Sequence, residues 1–363
     1  MLLYKEDWEE AKNMLAAWWE KELKHPVLQV TSPRSTRHYS YDGWDFCRHP
    51  DEPEKAVKSF EKWCSHTFFG GASYPNLWIN YGPGILSAWL GAEPVFRDTT
   101  MWFGNQQAKG TMSLAELAEA DLDENNIWWK RVVKATKTAV ESHYSKFIVG
   151  MTDIGGVLDV IAALRGTVET ILDMRRRPEK LKTAIHNVTE VWHKCYEKLY
   201  SIMCEKGHEG TSAWMGIWCP KKWYPLQCDV SFMFSPKLFK EFVYPHIKEQ
   251  CSQLDYAIYH LDGPGQIPHL NQLLKIQELD GIQWVPGARE ELKGNDCGSP
   301  QWFPLYNKIL ENNKLLVVSI PFQKTLNFIK HYRKHSILVK TQAPSIQQAE
   351  KLLKQWKTIT KQL

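Results

Sequence analysis

Apolar positions along this chain follow two periods, and from about residue 146 the chain switches regularly between them. Short apolar, β-branched runs occur at 146–150 (KFIVG), 212–218 (SAWMGIW), 256–263 (YAIYHLDG), 281–287 (GIQWVPG), 314–320 (KLLVVSI) and 336–341 (SILVKT). Helical spacing fills the intervals: Gly156 to Leu164, Val168 to Arg175, and Pro178 to about Cys204. A further helix opens at Ser235-Pro236, others cover about 266–277, 301–312 and 325–335, and Ser345 caps a last one. Apolar strands alternating with helices predict a buried parallel sheet. Upstream, Trp8, Ala11, Leu15, Trp18, Trp19 and Leu23 mark a helix over 4–24 that Pro26 ends, and VLQVT (27–31) reads as a strand. The stretch 70–105 is dense in Gly, Pro and aromatic residues, which predicts loops and short strands folded over the body.

No GxGxxG follows the first strand and no Walker loop occurs, so a doubly wound nucleotide-binding sheet has no motif behind it. The expected fold class is α/β, a (β/α)8 TIM barrel with an N-terminal helical and loop extension. The extension is drawn as 1–69, packed on a barrel spanning 70–363.

Composition narrows the function classes. Lys and Arg number 45 against 41 Asp and Glu, and a net charge of +4 over 363 residues gives no reason to expect nucleic acid. No run of about 18 apolar residues suggests a membrane span. The first residues are charged from Lys5 onward and lack the apolar core of a signal peptide. Eight scattered cysteines with no CxxC pair fit reduced thiols, hence a cytoplasmic protein. Seventeen tryptophans either fill a large core or line an apolar pocket, and their number alone leaves both open.

In an α/β barrel the working residues sit where strands end. Here those positions hold Asp153, Trp218, Cys219, Gln227, Cys228, Asp229, Tyr259, His260, Asp262, Gln283, Trp284, Arg289, Lys340, Thr341 and Gln342. Neutral His260 offers a lone pair near neutral pH, and Asp262, two residues on, points to the same side of an extended strand. The two could bind one metal ion, or one could orient the other. A buried histidine hydrogen-bonded to a barrel carboxylate, without chemistry, is the plain alternative. Gly263 and Gly265 around Pro264 suggest a tight turn with exposed amides. Asp153 reads equally as a helix N-cap or a substrate contact. Cys219 and Cys228 are either buried fillers or ligands.

The runs TDIGGVLDVIAALRG, QCDVSFMFSPKLFKEFVYPHI and YHLDGPGQIPHLNQLLKIQELDGIQWVPG resemble the uroporphyrinogen decarboxylase superfamily, and NYGPG (80–84) and TTMWF (99–103) extend the resemblance. It covers about residues 70–355 and implies a (β/α)8 barrel. That group holds porphyrinogen decarboxylases and the methyltransferases that serve corrinoid proteins in anaerobic methyl metabolism. The arginine-rich N-terminal motif of the decarboxylases has no equivalent here, and KTQAPS stands where they carry a Gly-His-Gly-type loop. Only Arg165, Arg289 and Arg97 lie near expected loops, too few for a substrate with eight carboxylates. Thiol-methylating relatives use a His-x-Cys pair and a later Cys on zinc. This chain has His260 and Asp262, with Thr341 or Gln342 on the last strand.

The resemblance therefore implies a methyltransferase that moves a methyl group from a small methoxylated or methylated donor to the Co(I) corrinoid of a separate protein. His260, Asp262, Asp153 and Asp229 would be catalytic. Trp102, Trp218, Tyr259, Trp284, Asn80 and Arg289 would bind the donor, and His260, Asp262 and Cys228 would hold any zinc. A corrinoid partner is implied because the chain has no DxHxxG motif of its own. A homodimer is left open. The competing readings are a metal-free decarboxylase or lyase acting on a small carboxylate, and a non-catalytic barrel holding an aromatic ligand.

Overall fold

Eight strands, each in parallel with at least one neighbour, form the frame of the computed structural model: Val27–Pro33 (β1), Asn76–Trp78 (β2), Ile148–Gly150 (β3), Trp223–Leu226 (β4), Tyr256–Asp262 (β5), Gly281–Val285 (β6), Leu315–Ser319 (β7) and Ile337–Gln342 (β8). The structure describes residues 1–35, 39–104, 110–207 and 209–361. The strands are buried along nearly their whole length, so both faces need cover, and helices lie between them in the chain. The main ladder runs Thr67–Gly71, β1, β8, β7, β6, β5, β4, with only the first of these antiparallel to its neighbour. β2 and β3 pair separately. The result is a TIM-barrel-like α/β fold whose ladder is interrupted between β1 and β2 and between β3 and β4. Among the described residues no helix is long and apolar enough to cross a membrane.

The segment SAWMGIW, expected as a strand, is a loop. Its residues Ala213, Met215 and Ile217 are buried, so its apolar character reflects enclosure rather than pairing. Asn76 of β2 donates from Nδ2 to Ala213 O at 3.1 Å and accepts from Ser212 Oγ at 2.7 Å. Gln29 of β1 donates to Gly216 O at 3.1 Å, and Lys340 of β8 donates to Met215 O. Trp214 meets the ring of His260 on β5 edge-on, with centroids 5.1 Å apart. Side chains of β1, β2, β5 and β8 thus all reach this one loop. The strand the sequence concealed is WYPL, at β4. Pro225 reads as a breaker, but β4 is the last strand of its ladder, and a missing N–H on its open side costs no bond.

The first helix, Trp8–Trp19, covers the end where β4 and β5 begin. Trp19 packs 5.1 Å from both Trp223 and Tyr256, and Trp8 packs on Tyr74 and Trp218. β1 lies inside the stretch drawn as an extension, yet it pairs in register with β8, Gln29 opposite Lys340. The chain from Val27 onward is therefore part of the sheet. Downstream, the helix expected over 266–277 is a 3-10 turn, Pro264–His269, followed by the single turn Leu270–Leu273, because Pro268 interrupts it.

Candidate active site

The ends where the strands finish stay open, and the polar residues gather there. On β5, alternation puts His260 and Asp262 on one side, with His260 opposite Gln283 of β6. Gln283 Oε1 lies 2.7 Å from His260 Nδ1. An amide oxygen only accepts, so Nδ1 carries the proton and Nε2 keeps its lone pair. Past Asp262 the chain turns at Gly263 (φ +76°), whose amide donates to Val285 O at 2.8 Å and ties the ends of β5 and β6 together.

Asp229 opens the 3-10 turn Asp229–Met233 after β4. The turn is held by Asp159 of the helix Val157–Arg165, whose carboxylate accepts from Asp229 N at 2.9 Å and Val230 N at 2.7 Å. Gly156 makes this approach possible, since a Cβ there would lie 2.3 Å from Asp159 Oδ2 and 2.4 Å from Gln227 O. Ligand atoms of Asp229, His260 and Asp262 all lie within 4.8 Å of one another.

Asp153, just past β3, is buried behind this group. Its loop is pinned by Tyr224, which donates from its hydroxyl to Thr152 O (2.8 Å) and accepts from Ile154 N (2.7 Å). Burial, then the charge of Asp229, pushes the Asp153 carboxyl up to about 7. Burial and Asp229 likewise raise Asp159 to about 8, against the pull of the two amides it accepts from. Asp229 is raised by burial, with His260 pulling it down and Asp262 pushing it up. Asp153 and Asp159 are therefore set to hold protons near neutrality, and Asp229 is shifted in the same direction. One oxygen each of Asp153 and Asp229 is buried without a hydrogen-bond partner.

A cavity of about 910 Å³ opens in front of them. Its walls are mostly apolar: Pro83, Met101, Trp102, Phe103, Val160, Ala163, Val230, Phe232, Met233, Pro264 and Pro286. Asp159, Gln227, Asp229, Asp262, Arg289 and Lys293 supply the polar groups. Trp102 (61% exposed), Phe232 (59%) and Met233 (42%) form an apolar rim around the opening.

Of the sequence candidates, Asp229, Asp262, Trp102 and Arg289 line this cavity, His260 joins the first two, and Asp153 stands behind them. Five others lie elsewhere. Trp218 is buried at the opposite end, donating to Glu209 O and packed on Trp8. Trp284 faces outward from β6 onto Trp302, with centroids 4.9 Å apart. Tyr259 also faces away from His260 and donates to Gln266 Oε1 at 3.2 Å. The Asn80 amide is used in tying two loops together, donating to Gly43 O and accepting from Gly82 N. Cys228 is buried outside the three-residue group, and burial raises its thiol further from the thiolate that metal binding needs. Strand alternation explains two of these: Tyr259 and Trp284 are next to His260 and Gln283 on their strands and so face the opposite side. The sequence reading missed Asp159, although a lone acid inside VLDVIAAL was the signal, and it gave Gln283 no role.

The donor set suits a divalent ion. One imidazole nitrogen and two carboxylates are the ligand types of open zinc sites, Asp229 Oδ1 lacks a partner, and Gln283 supplies the outer hydrogen bond that ligating histidines carry.

No protein-family model matches this chain, and no curated protein matches it. Among solved structures it is similar to a methyltransferase from Methanosarcina mazei, with 15% sequence identity and a TM-score of 0.56. The match covers 97% of this chain and 98% of the other. At that identity the likeness is one of fold.

Proposed function

We propose that this protein is a methyltransferase that takes a methyl group from a small methoxylated or methylated donor and passes it to the Co(I) corrinoid of a separate protein. The eight strands are read here as a (β/α)8 barrel of the uroporphyrinogen decarboxylase superfamily, on its corrinoid-linked branch. The fold-level likeness to a methyltransferase supports that branch. The observation that carries the reading is the group Asp229, His260 and Asp262, beside carboxyls pushed towards neutral pKa, at the wall of an apolar cavity.

Demethylating an ether or amine breaks a bond to a poor leaving group, whose oxygen or nitrogen needs a proton as the methyl departs. Asp229, whose carboxyl burial raises and which lines the cavity, is the group placed to give that proton. The carbon–oxygen or carbon–nitrogen pair stays with the leaving atom, the methyl passes to the acceptor, and the carboxyl proton ends on the leaving atom. His260, within 4.8 Å of that carboxyl, would accept a hydrogen bond there through the nitrogen that Gln283 leaves free. A zinc ion held by Asp229, His260 and Asp262 would take the place of that proton, supplying Lewis acidity to the leaving atom instead. Phe103, Val160 and Ala163 keep water from the methyl, and the apolar rim of Trp102, Phe232 and Met233 offers a surface on which the corrinoid protein docks.

Against the alternative of a small-carboxylate decarboxylase, the cavity lining offers an anionic substrate only the exposed Arg289 and Lys293 as cations. Metal analysis of the purified protein, followed by incubation with a Co(I) corrinoid protein and a panel of methoxylated and methylated compounds, tests the reading. Methylated corrinoid, seen by its absorbance, is expected with at least one donor. No methylation with any donor overturns it.

A further inference from the structure

Lys340 lies on β8 in register with Gln29 of β1, and its Nζ donates to the carbonyl of Met215 in the central loop. Among the described residues no carboxylate pairs with it, and its amine is pulled down to about 8 by burial alone. Lys340 is half-buried, and Met215 O is the one protein acceptor of its Nζ among the described residues, which leaves two of its three donors for a ligand or water. Beside it is a second cavity of about 230 Å³, separate from the mouth and lined by Gln29, Thr31, Ser73, Tyr74, Asn76 and Trp214 together with Lys340. Interiors of such barrels are ordinarily filled by side chains, so an open, polar-walled space there is unusual.

The neighbours are mostly committed elsewhere. Tyr74 and Asn76 are bonded to Ser212, and both N–H groups of Gln29 are spent on Ala72 O and Gly216 O. The unspent donors on the lining include the Lys340 ammonium and the buried Trp214 indole N–H, and of these Lys340 alone carries charge. A further cavity on the other side of Lys340 carries Glu291 and Asp296, which disfavour an anion there. Trp214 walls the inner cavity off from His260, whose ring it meets edge-on.

We propose that this inner cavity is a second ligand site, which takes a small monocarboxylic acid with its carboxylate on Lys340 Nζ. One charge is specified because Lys340 is the only cation among the lining residues. Small size is specified because the volume falls below the ~300 Å³ at which sites for drug-sized ligands begin. The site stands independently of methyl transfer, since its test reads binding and not turnover.

Calorimetric titration of the full chain with acetate, propionate and benzoate at pH 7, against chloride at equal ionic strength, tests it. One acid is expected to bind one-to-one, and Lys340→Met to weaken it at least tenfold while the melting temperature holds or rises. Affinity is expected to fall as the pH passes about 8, because the ammonium is the binding form. Tyr74, Glu291 and Asp296 are the other titratable groups bordering the lysine. Should the variant fail to fold, protection of Lys340 from acetic anhydride by the bound acid, read by peptide mass spectrometry on the wild type, gives the same answer. No binding above the chloride control, equal binding by Lys340→Met, or no protection would each overturn the proposal.

Discussion

Gln283 Oε1 accepts a hydrogen bond from His260 Nδ1 at 2.7 Å, across adjacent strands in matching register. That bond decides which imidazole nitrogen faces Asp229 and Asp262. Gln283→Leu keeps the volume close but removes the acceptor, so the ring loses both tautomer and orientation. Turnover, or zinc affinity measured by competition with a chelator, is expected to fall about 10–100-fold with the melting temperature little changed. Unaltered activity in this variant would separate His260 from the chemistry.

Stability is expected to fall as the pH rises through neutrality. Burial holds the Asp153 carboxyl at about 7, above its ordinary value of 3.8, so between those limits the folded state binds more protons than the unfolded one. The stabilising contribution is complete below about 3.8 and is lost as the pH climbs through 7. Asp153→Asn removes that titration and is expected to flatten the decline, gaining on the order of 2 kcal/mol at pH 8. Thermal melts of both proteins from pH 5 to pH 9 check this.

The two tryptophans read from sequence as equivalent pocket residues are expected to behave oppositely. Trp284 is fully buried against Trp302, and Trp284→Ala should cost about 3–5 kcal/mol in chemical denaturation. Trp102 is exposed on the rim, and Trp102→Ala should leave stability within about 0.5 kcal/mol while weakening donor or partner binding. Titrations of both variants, paired with denaturation curves, separate the two roles.

Much of the site was readable because strand ends carry its chemistry and a two-residue period fixes which side chains share a face. His260 and Asp262 follow from that rule, whereas Asp229 lies past the end of β4 in a 3-10 turn that the strand period does not govern. Trp284 and Tyr259 obey it too: each sits next to an inward residue and therefore points outward, so nearness along the chain misled where alternation would have guided. SAWMGIW was illegible for another reason. An apolar run has the same appearance whether it pairs as a strand or is swallowed as a loop, and only the hydrogen bonds from Gln29, Asn76 and Lys340 show which. Asp159 acts through tertiary contact with the Asp229 turn, which no local pattern encodes.

Close packing of two loops behind the carboxyls gives a sharper stability test. Gly155 has φ +94°, and a Cβ on it would lie 2.4 Å from Gly84 Cα. Gly155→Ala therefore meets both backbone strain and a clash that no side-chain rotation relieves, and should cost more than about 2 kcal/mol. Gly91 also has positive φ but open space around it, so Gly91→Ala should cost less. Denaturant midpoints of the two variants compare them directly.

The most direct measurement of the central claim is the initial rate of corrinoid methylation by wild-type protein, Asp229→Asn and His260→Ala, with the best donor of the panel. Asp229→Asn preserves the shape of the turn but cannot give a proton to the leaving atom, and His260→Ala removes the nitrogen beside it. Rates at least 100-fold below wild type are expected for both, with circular dichroism unchanged. Wild-type rates in either folded variant would contradict the assignment of methyl transfer to this group.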